Sequence, residues 1–222
     1  MIFPKVKSAL YAALKAFGKY SDFEAVKLTG DFDKVFSSDK DFISKVELLD
    51  GVFDNNPQVE ALREVFFDLL LINFFSADVK KLEEDYLDTP EWEAIEEDTI
   101  DRGTELLNLL LYLNECEDEG IEPELDDYLK EFLLVDEDEF QDEYRIYEPV
   151  ISNQILIESP LDEVNKIAHT LPDDSELKEL FYPIMAYFSD TNPPAGADEK
   201  VAEHALDKQF DIAVYQILTN FK

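Results

Sequence analysis

The sequence predicts an all-α protein, an orthogonal helical bundle or helical array of about ten helices. Three observations carry that expectation: apolar residues recur at intervals of three and four, helix-start signals are frequent, and strand evidence is poor. The chain has 222 residues, 45% apolar and 13% aromatic, enough for a real core and far from the composition of disordered chains. One all-α domain over residues 1–222 is expected, with halves at 1–88 and 89–222 as the alternative division.

Helices are expected near 4–17, 21–28, 38–50, 57–75, 77–87, 90–116, 123–134, 137–148, 160–169, 174–189 and 198–220. Proline follows a capping-type residue at Asn56-Pro57, Thr89-Pro90 and Ser159-Pro160. A proline at the first helical position loses no bond, because that N–H has no intrahelical acceptor. Gly18, Gly30, Gly51 and Gly120 stand where the helical pattern is read to stop, and Ser21-Asp22-Phe23-Glu24 has capping-box spacing. In the fourth segment Val59, Leu62, Val65, Phe66, Leu69, Ile72 and Phe74 cover more than half the circumference, which predicts a central helix. The last segment has a narrower stripe of Val201, Ala205, Phe210, Ala213, Val214, Ile217 and Phe221, and is read as a lid with its polar face in water. Residues 144–157 have some strand character, but Pro149 excludes a central strand position there. Residues 62–67 resemble 177–182, and 32–36 share a pattern with 128–132. A degenerate two-fold internal repeat accounts for both, as does the period common to unrelated amphipathic helices.

Charge is the compositional outlier: 53 acidic side chains against 19 basic ones give a net charge of −34. It is unevenly spread. Residues 1–50 hold eight lysines and eight acids, whereas residues 83–143 hold 26 acids against Arg102 and Lys130 alone. Such a surface repels phosphate backbones and anionic membranes, so neither nucleic acid nor membrane is an expected partner. It gathers basic proteins, cationic peptides or divalent ions. Docking competes with two plainer roles for the charge. One is salt adaptation, against which the retained lysines and the abundant Phe and Ile weigh; the second is simple solubility of a greasy helical protein.

Chemistry-bearing motifs are scarce. His169 and His204 are the only histidines, and no Glu-x-x-His pair of a di-iron bundle accompanies them. One cysteine and two histidines barely reach the ligand set of a zinc site. Cys116 is read as a reduced thiol near a helix end, since a single cysteine makes no internal disulfide. No Gly-x-Ser-x-Gly or glycine-rich phosphate loop is present, and no cofactor is expected. Residues 136–143 are rich in carboxylates, with Asp136, Asp138 and Asp142 as the weak metal candidates. As an EF-hand the run fails, because position five is Phe140, six is Gln141 and twelve is Tyr147. Lys15 and Lys19 interrupt the first apolar stretch, and the greasiest run, 65–75, holds Asp68 and is too short to span a bilayer. A cytoplasmic location is therefore expected.

The sequence is read as a non-enzymatic acidic helical interaction protein, an adaptor or inhibitor, docking a basic partner through the 83–143 face. Glu93, Glu96, Glu97, Asp98 and Asp101 on one helix and Glu124, Asp126, Asp127 and Glu131 on the next are the candidate binding residues. Trp92, Tyr86 and Tyr128 are either aromatic anchors for that partner or core residues, with core packing favoured. The alternatives are a carboxylate-based divalent-metal protein or helical enzyme, and a salt-adapted or merely soluble protein whose charge no partner reads. Oligomeric state is left open.

Overall fold

A computed structural model describes residues 1–77, 81, 84–136, 139–140 and 145–221, with 84–85, 131–136 and 139–140 described by their backbone alone. The chain starts with α1 (Pro4–Tyr20), whose inner stripe alternates Val6, Leu10, Leu14 and Phe17 with Ala9, Ala13 and Ala16. Small side chains at helical spacing let another helix approach closely. That helix is α13 (Lys208–Asn220), and the pair is the most extensive in the fold. Gly18 lies inside α1, not at its end, and the returning chain packs close on it: a Cβ there would meet Phe23 O at 3.2 Å and Ala25 N at 3.3 Å.

The expected helix at 21–28 is replaced by a 3-10 turn, Ala25–Leu28, which runs into α2 (Thr29–Ser37). The capping box does not form: Ser21 Oγ accepts from Phe23 N and donates to Phe23 O, making a local turn instead. α3 (Phe42–Asp54) is capped by Asp41, whose carboxylate accepts from Ser44 N at 2.8 Å. A 3-10 turn, Pro57–Leu62, leads into α4 (Arg63–Ala77). α4 is buried on every side, from Val65 and Phe66 through Leu69, Leu70 and Ile72 to Phe75, as its apolar circumference predicts. Phe66 meets Phe32 at 4.8 Å and Phe53 at 5.8 Å between ring centroids, which locks α2, α3 and α4 together. Gly30 and Gly51 lie within α2 and α3, so neither is a helix stop.

α5 (Glu84–Leu87) is followed by two helices where one was expected over 90–116. α6 (Pro90–Thr99) ends, residues 100–105 lie in neither helix, and α7 (Leu106–Glu119) begins afresh. Gly103, at φ 86°, lies inside the break. α7 ends on Gly120 at φ 69°, the left-handed residue that closes many helices. Next come α8 (Leu125–Leu133) and a short antiparallel pair, β1 (Leu134–Asp136) and β2 (Glu139–Phe140). Part of the helix expected at 137–148 thus falls on β2, and part lies outside the described residues. The stretch with strand character folds instead as α9 (Glu148–Ile151) and a 3-10 turn, Gln154–Glu158.

α10 (Leu161–Ala168) ends at His169, and α11 (Lys178–Ser189) is buried over nearly its whole length. The expected final helix is also two: α12 (Ala197–His204) and α13. Asp207 makes the break, accepting from Gln209 N at 3.1 Å and Phe210 N at 3.2 Å, while Asp211 reaches back to Leu206 N at 2.7 Å and Asp207 N at 3.1 Å. Four backbone donors at the helix start are thereby satisfied by two carboxylates. Burial pushes the Asp211 carboxyl up to about 7. α13 is no lid. Phe210, Ile212, Ala213, Val214, Tyr215, Ile217 and Leu218 are all buried, with α1, α11 and α12 packed around them. Asp207→Ala should lower stability by about 1–2 kcal/mol, with Asp207→Asn close to wild type in the same urea titration; equal losses from both would show that the cap contributes nothing.

The buried apolar residues form one contiguous cluster from Val6 to Phe221. No helix among the described residues is long and apolar enough to cross a membrane.

Candidate functional site

On α6 the helical period decides which side chains reach water. Ile95 is buried and Trp92 half-buried against Phe75, at 5.3 Å between centroids, so Glu93, Glu96, Glu97 and Asp98 turn outward. Thr89 fixes the start of the helix by accepting from Trp92 N at 3.2 Å. Asp101, just beyond the helix, is exposed as well. No ion pair to any of these five carboxylates is found among the described residues. Ile100, next to Asp101 in the chain, is an apolar side chain that is 76% exposed.

The second group is carried differently. α6 packs against α3 and α5, whereas α8 packs against α7 and β1. Glu124 and Asp126 are exposed, and Asp127 is half-buried. Asp126 pairs with Lys130 one turn on, so part of this patch is neutralised within the helix. Glu124 is anchored through its backbone: its N–H donates to the Tyr112 hydroxyl, which in turn donates to its carbonyl, both at 3.0 Å. The side chain of Glu131 lies outside the described residues, as does that of Asp136, and Asp138 and Asp142 lie outside them entirely. Among the described residues no group of three or more His, Cys, Asp or Glu side chains is placed to hold a metal ion.

The aromatic residues near the acids are mostly committed to the core. Tyr128 is 1% exposed and stacks on Phe188, and Trp92 contacts Tyr86 as well as Phe75.

Among the described residues, the most elaborate polar cluster lies where the sequence predicts a continuous helix. Arg102 grips Asp50 through two parallel bonds of 3.1 Å and reaches Glu64 at 3.0 Å through Nε. Arg63 donates to the same Asp50 Oδ1 at 2.9 Å, and also to Asp54 and Glu60. Gly103 N donates to Glu64 at 2.8 Å. Thr104 gives its N–H and its hydroxyl to Asp68, at 3.0 and 2.6 Å, while its hydroxyl oxygen accepts from Leu106 N to start α7. Burial pushes the Asp68 carboxyl up to about 8, and the charges of Glu64 and Glu105 add to this, against the bonds from Thr104 that favour ionisation. A raised carboxyl often marks an acid–base site. Here Asp68 is wholly buried under residues 103 and 104, so no substrate reaches it, and its work is to hold the loop. The only arginine between residues 83 and 143 is turned inward by this arrangement, which leaves the α6 carboxylates without it.

Outside this seal is an open hollow of about 450 Å³, formed by residues 100–105 and Glu176. Asp101, Glu105 and Glu176 give it a negative wall. Glu105 is also engaged by Tyr147, whose hydroxyl donates to it, and by Asn108 at 3.0 Å. Sequence reasoning missed this loop. The available signal was Arg102-Gly103-Thr104, a glycine followed by a capping residue before Leu106 and Leu107. Comparison with family models, curated proteins and solved structures finds no match for the chain.

Proposed function

We propose that the protein is a non-enzymatic interaction protein that docks a basic protein partner through its acidic surface, centred on α6 and the loop that follows it. One observation carries the reading: Glu93, Glu96, Glu97, Asp98 and Asp101 are exposed and have no ion pair among the described residues, and the exposed Ile100 lies in the same short stretch of chain. Charges of one sign crowded together weaken the fold that carries them. An oppositely charged partner relieves that repulsion on binding, and a nearby apolar side chain adds contact area that a purely solubilising surface does not need. The field also speeds encounter, and salt screens it within a Debye length of about 8 Å.

The test is reversal of Glu96, Glu97, Asp98 and Asp101 to Lys. The variant should fold, with a melting temperature equal to or above that of the wild type, because like-charge repulsion is reduced. In a pull-down from the native cell lysate at 50 mM salt, basic proteins retained by the wild type should be lost from it. Equal retention by both proteins, or none by either, removes the docking reading and leaves solubility as the role of the charge. Adding micromolar Ca²⁺, Mg²⁺ or Mn²⁺ to the same melts checks the carboxylate-metal alternative, since tight binding raises the melting temperature by mass action.

A further inference from the structure

A groove elsewhere on the surface combines an apolar floor with an acidic rim. It runs between the loop joining α7 to α8 and the chain leaving α11. Two hollows of about 290 and 560 Å³ make it up, and Glu122, Pro123, Thr191 and Asn192 line both. The smaller is floored by Leu113, Ile121, Tyr187 and Phe221, of which Ile121 is 42% exposed. The larger is bordered by Glu122, Glu124, Asp126 and Asp190. Two carboxylates along the groove already have cations: Glu117 pairs with the buried Lys5, and Asp126 with Lys130. No ion pair to Glu122, Glu124 or Asp190 is found among the described residues.

The chemistry of an occupant follows from this order of surfaces. The smaller hollow is open and has room for one large apolar side chain. Immediately beside it, three carboxylates without ion-pair partners among the described residues call for cationic groups a few residues along the same strand of ligand. Small anions and nucleic acids are repelled by that rim. A free inorganic cation leaves the apolar floor uncovered. We infer that this groove binds an extended segment of a partner protein in which a large apolar residue is followed closely by two or more Lys or Arg residues. The inference rests on the reading that the carboxylate surface meets a basic partner, and it adds a second contact at which an apolar anchor sets the register. Arginine suits the rim better than lysine, because its planar fork meets a carboxylate through two bonds.

The probe is a fluorescein-labelled dodecapeptide with a central Leu-Phe followed by Arg-Arg-Lys, flanked by Gly and Ser and followed by anisotropy at 50 mM salt. Replacing its Leu-Phe by Ser-Ser should weaken binding at least tenfold at unchanged charge. The triple variant Glu122→Gln, Glu124→Gln, Asp190→Asn keeps side-chain size and the acceptor that Asp190 offers to Asn192 N; it should weaken binding at least tenfold at an unchanged melting temperature. The α6 reversal variant should weaken it no more than about threefold, through the long-range field alone. In amide NMR spectra the peptide should shift residues 113–124 and 187–192. Equal affinity for the Leu-Phe and Ser-Ser peptides, or shifts confined to residues 93–101, overturns the groove while leaving docking at α6 standing. Absence of binding to wild type overturns the groove as well, and docking at α6 is then judged by the pull-down alone.

Discussion

Gly103→Ala should lower the unfolding free energy by roughly 2–5 kcal/mol, the largest loss expected from removing so little sequence information. Two causes add. The residue sits at φ 86°, where a side chain costs about 1–3 kcal/mol. A Cβ there would also lie 2.6 Å from Oδ1 of Asp68 and 3.2 Å from the Phe67 ring. Asp68 is fully buried and cannot retreat into water, so the loop must lift, loosening the bonds from Thr104 and the grip of Arg102. Gly196 supplies the control, because it has φ 88° and nothing within 4 Å of its missing Cβ. Gly196→Ala should therefore cost only the backbone part, about 1–3 kcal/mol. Urea titrations of both variants check the pair, and equal losses would remove the close approach to Asp68 as a cause.

Lowering the pH from 8.5 to 5 should stabilise the protein by about 3 kcal/mol or more, opposite to the response of a protein held together by ionised carboxylates. Asp68 and Asp211 have carboxyls raised to about 8 and about 7, chiefly by burial. In the unfolded chain both return to near the ordinary value of about 3.9. The native state therefore holds protons that the unfolded state releases. Its advantage is complete below about pH 4 and is lost as pH rises through 7 and 8. Exposed acids with lowered values, such as Asp41 beside Ser44 and Asp162 beside Lys166, work the other way and favour the fold above their own range. Acidification also relaxes the repulsion of the net charge, so a second protein is needed to isolate the buried group. Asp68→Asn keeps the shape and an acceptor for Thr104 N, and should be more stable than wild type at pH 8 with a visibly shallower pH slope. Denaturant midpoints at half-unit steps decide it, and identical slopes would sink the assignment to Asp68.

Much of the architecture was legible because burial leaves a periodic trace. α4 reads as central from its apolar circumference alone, and the outward turn of Glu93, Glu96 and Glu97 follows once Ile95 and Trp92 take the inner side. What could not be read was where regular segments are interrupted for tertiary reasons. Gly18, Gly30 and Gly51 look like stops and sit inside helices, while Gly103 looks like an interior residue and lies in the loop between two. The difference lies in Asp50, Glu64 and Asp68, more than thirty residues earlier, which draw the 102–104 backbone and guanidinium toward them. The division of α12 from α13 did have a local signal, Asp207 followed by Asp211, hidden because the apolar stripe continues across it. The acids of α6 stood out by number, yet their lack of internal cations depends on where Arg102 points, which no count of charges conveys. The groove beside Ile121 left no trace, since it joins residues from 113 to 221.

The pairing of α1 with α13 sets a timetable for synthesis. About two hundred residues separate the two surfaces, so at roughly 5–20 residues per second a nascent chain displays the Val6, Leu10 and Phe17 stripe for about ten to forty seconds before its mate exists. During that interval only the partners made early, the 3-10 turn Ala25–Leu28, α2 and α4, cover part of the first helix. The first fifty residues are charge-balanced, so mutual repulsion between neighbouring nascent chains would set in only with the 26 acids of residues 83–143.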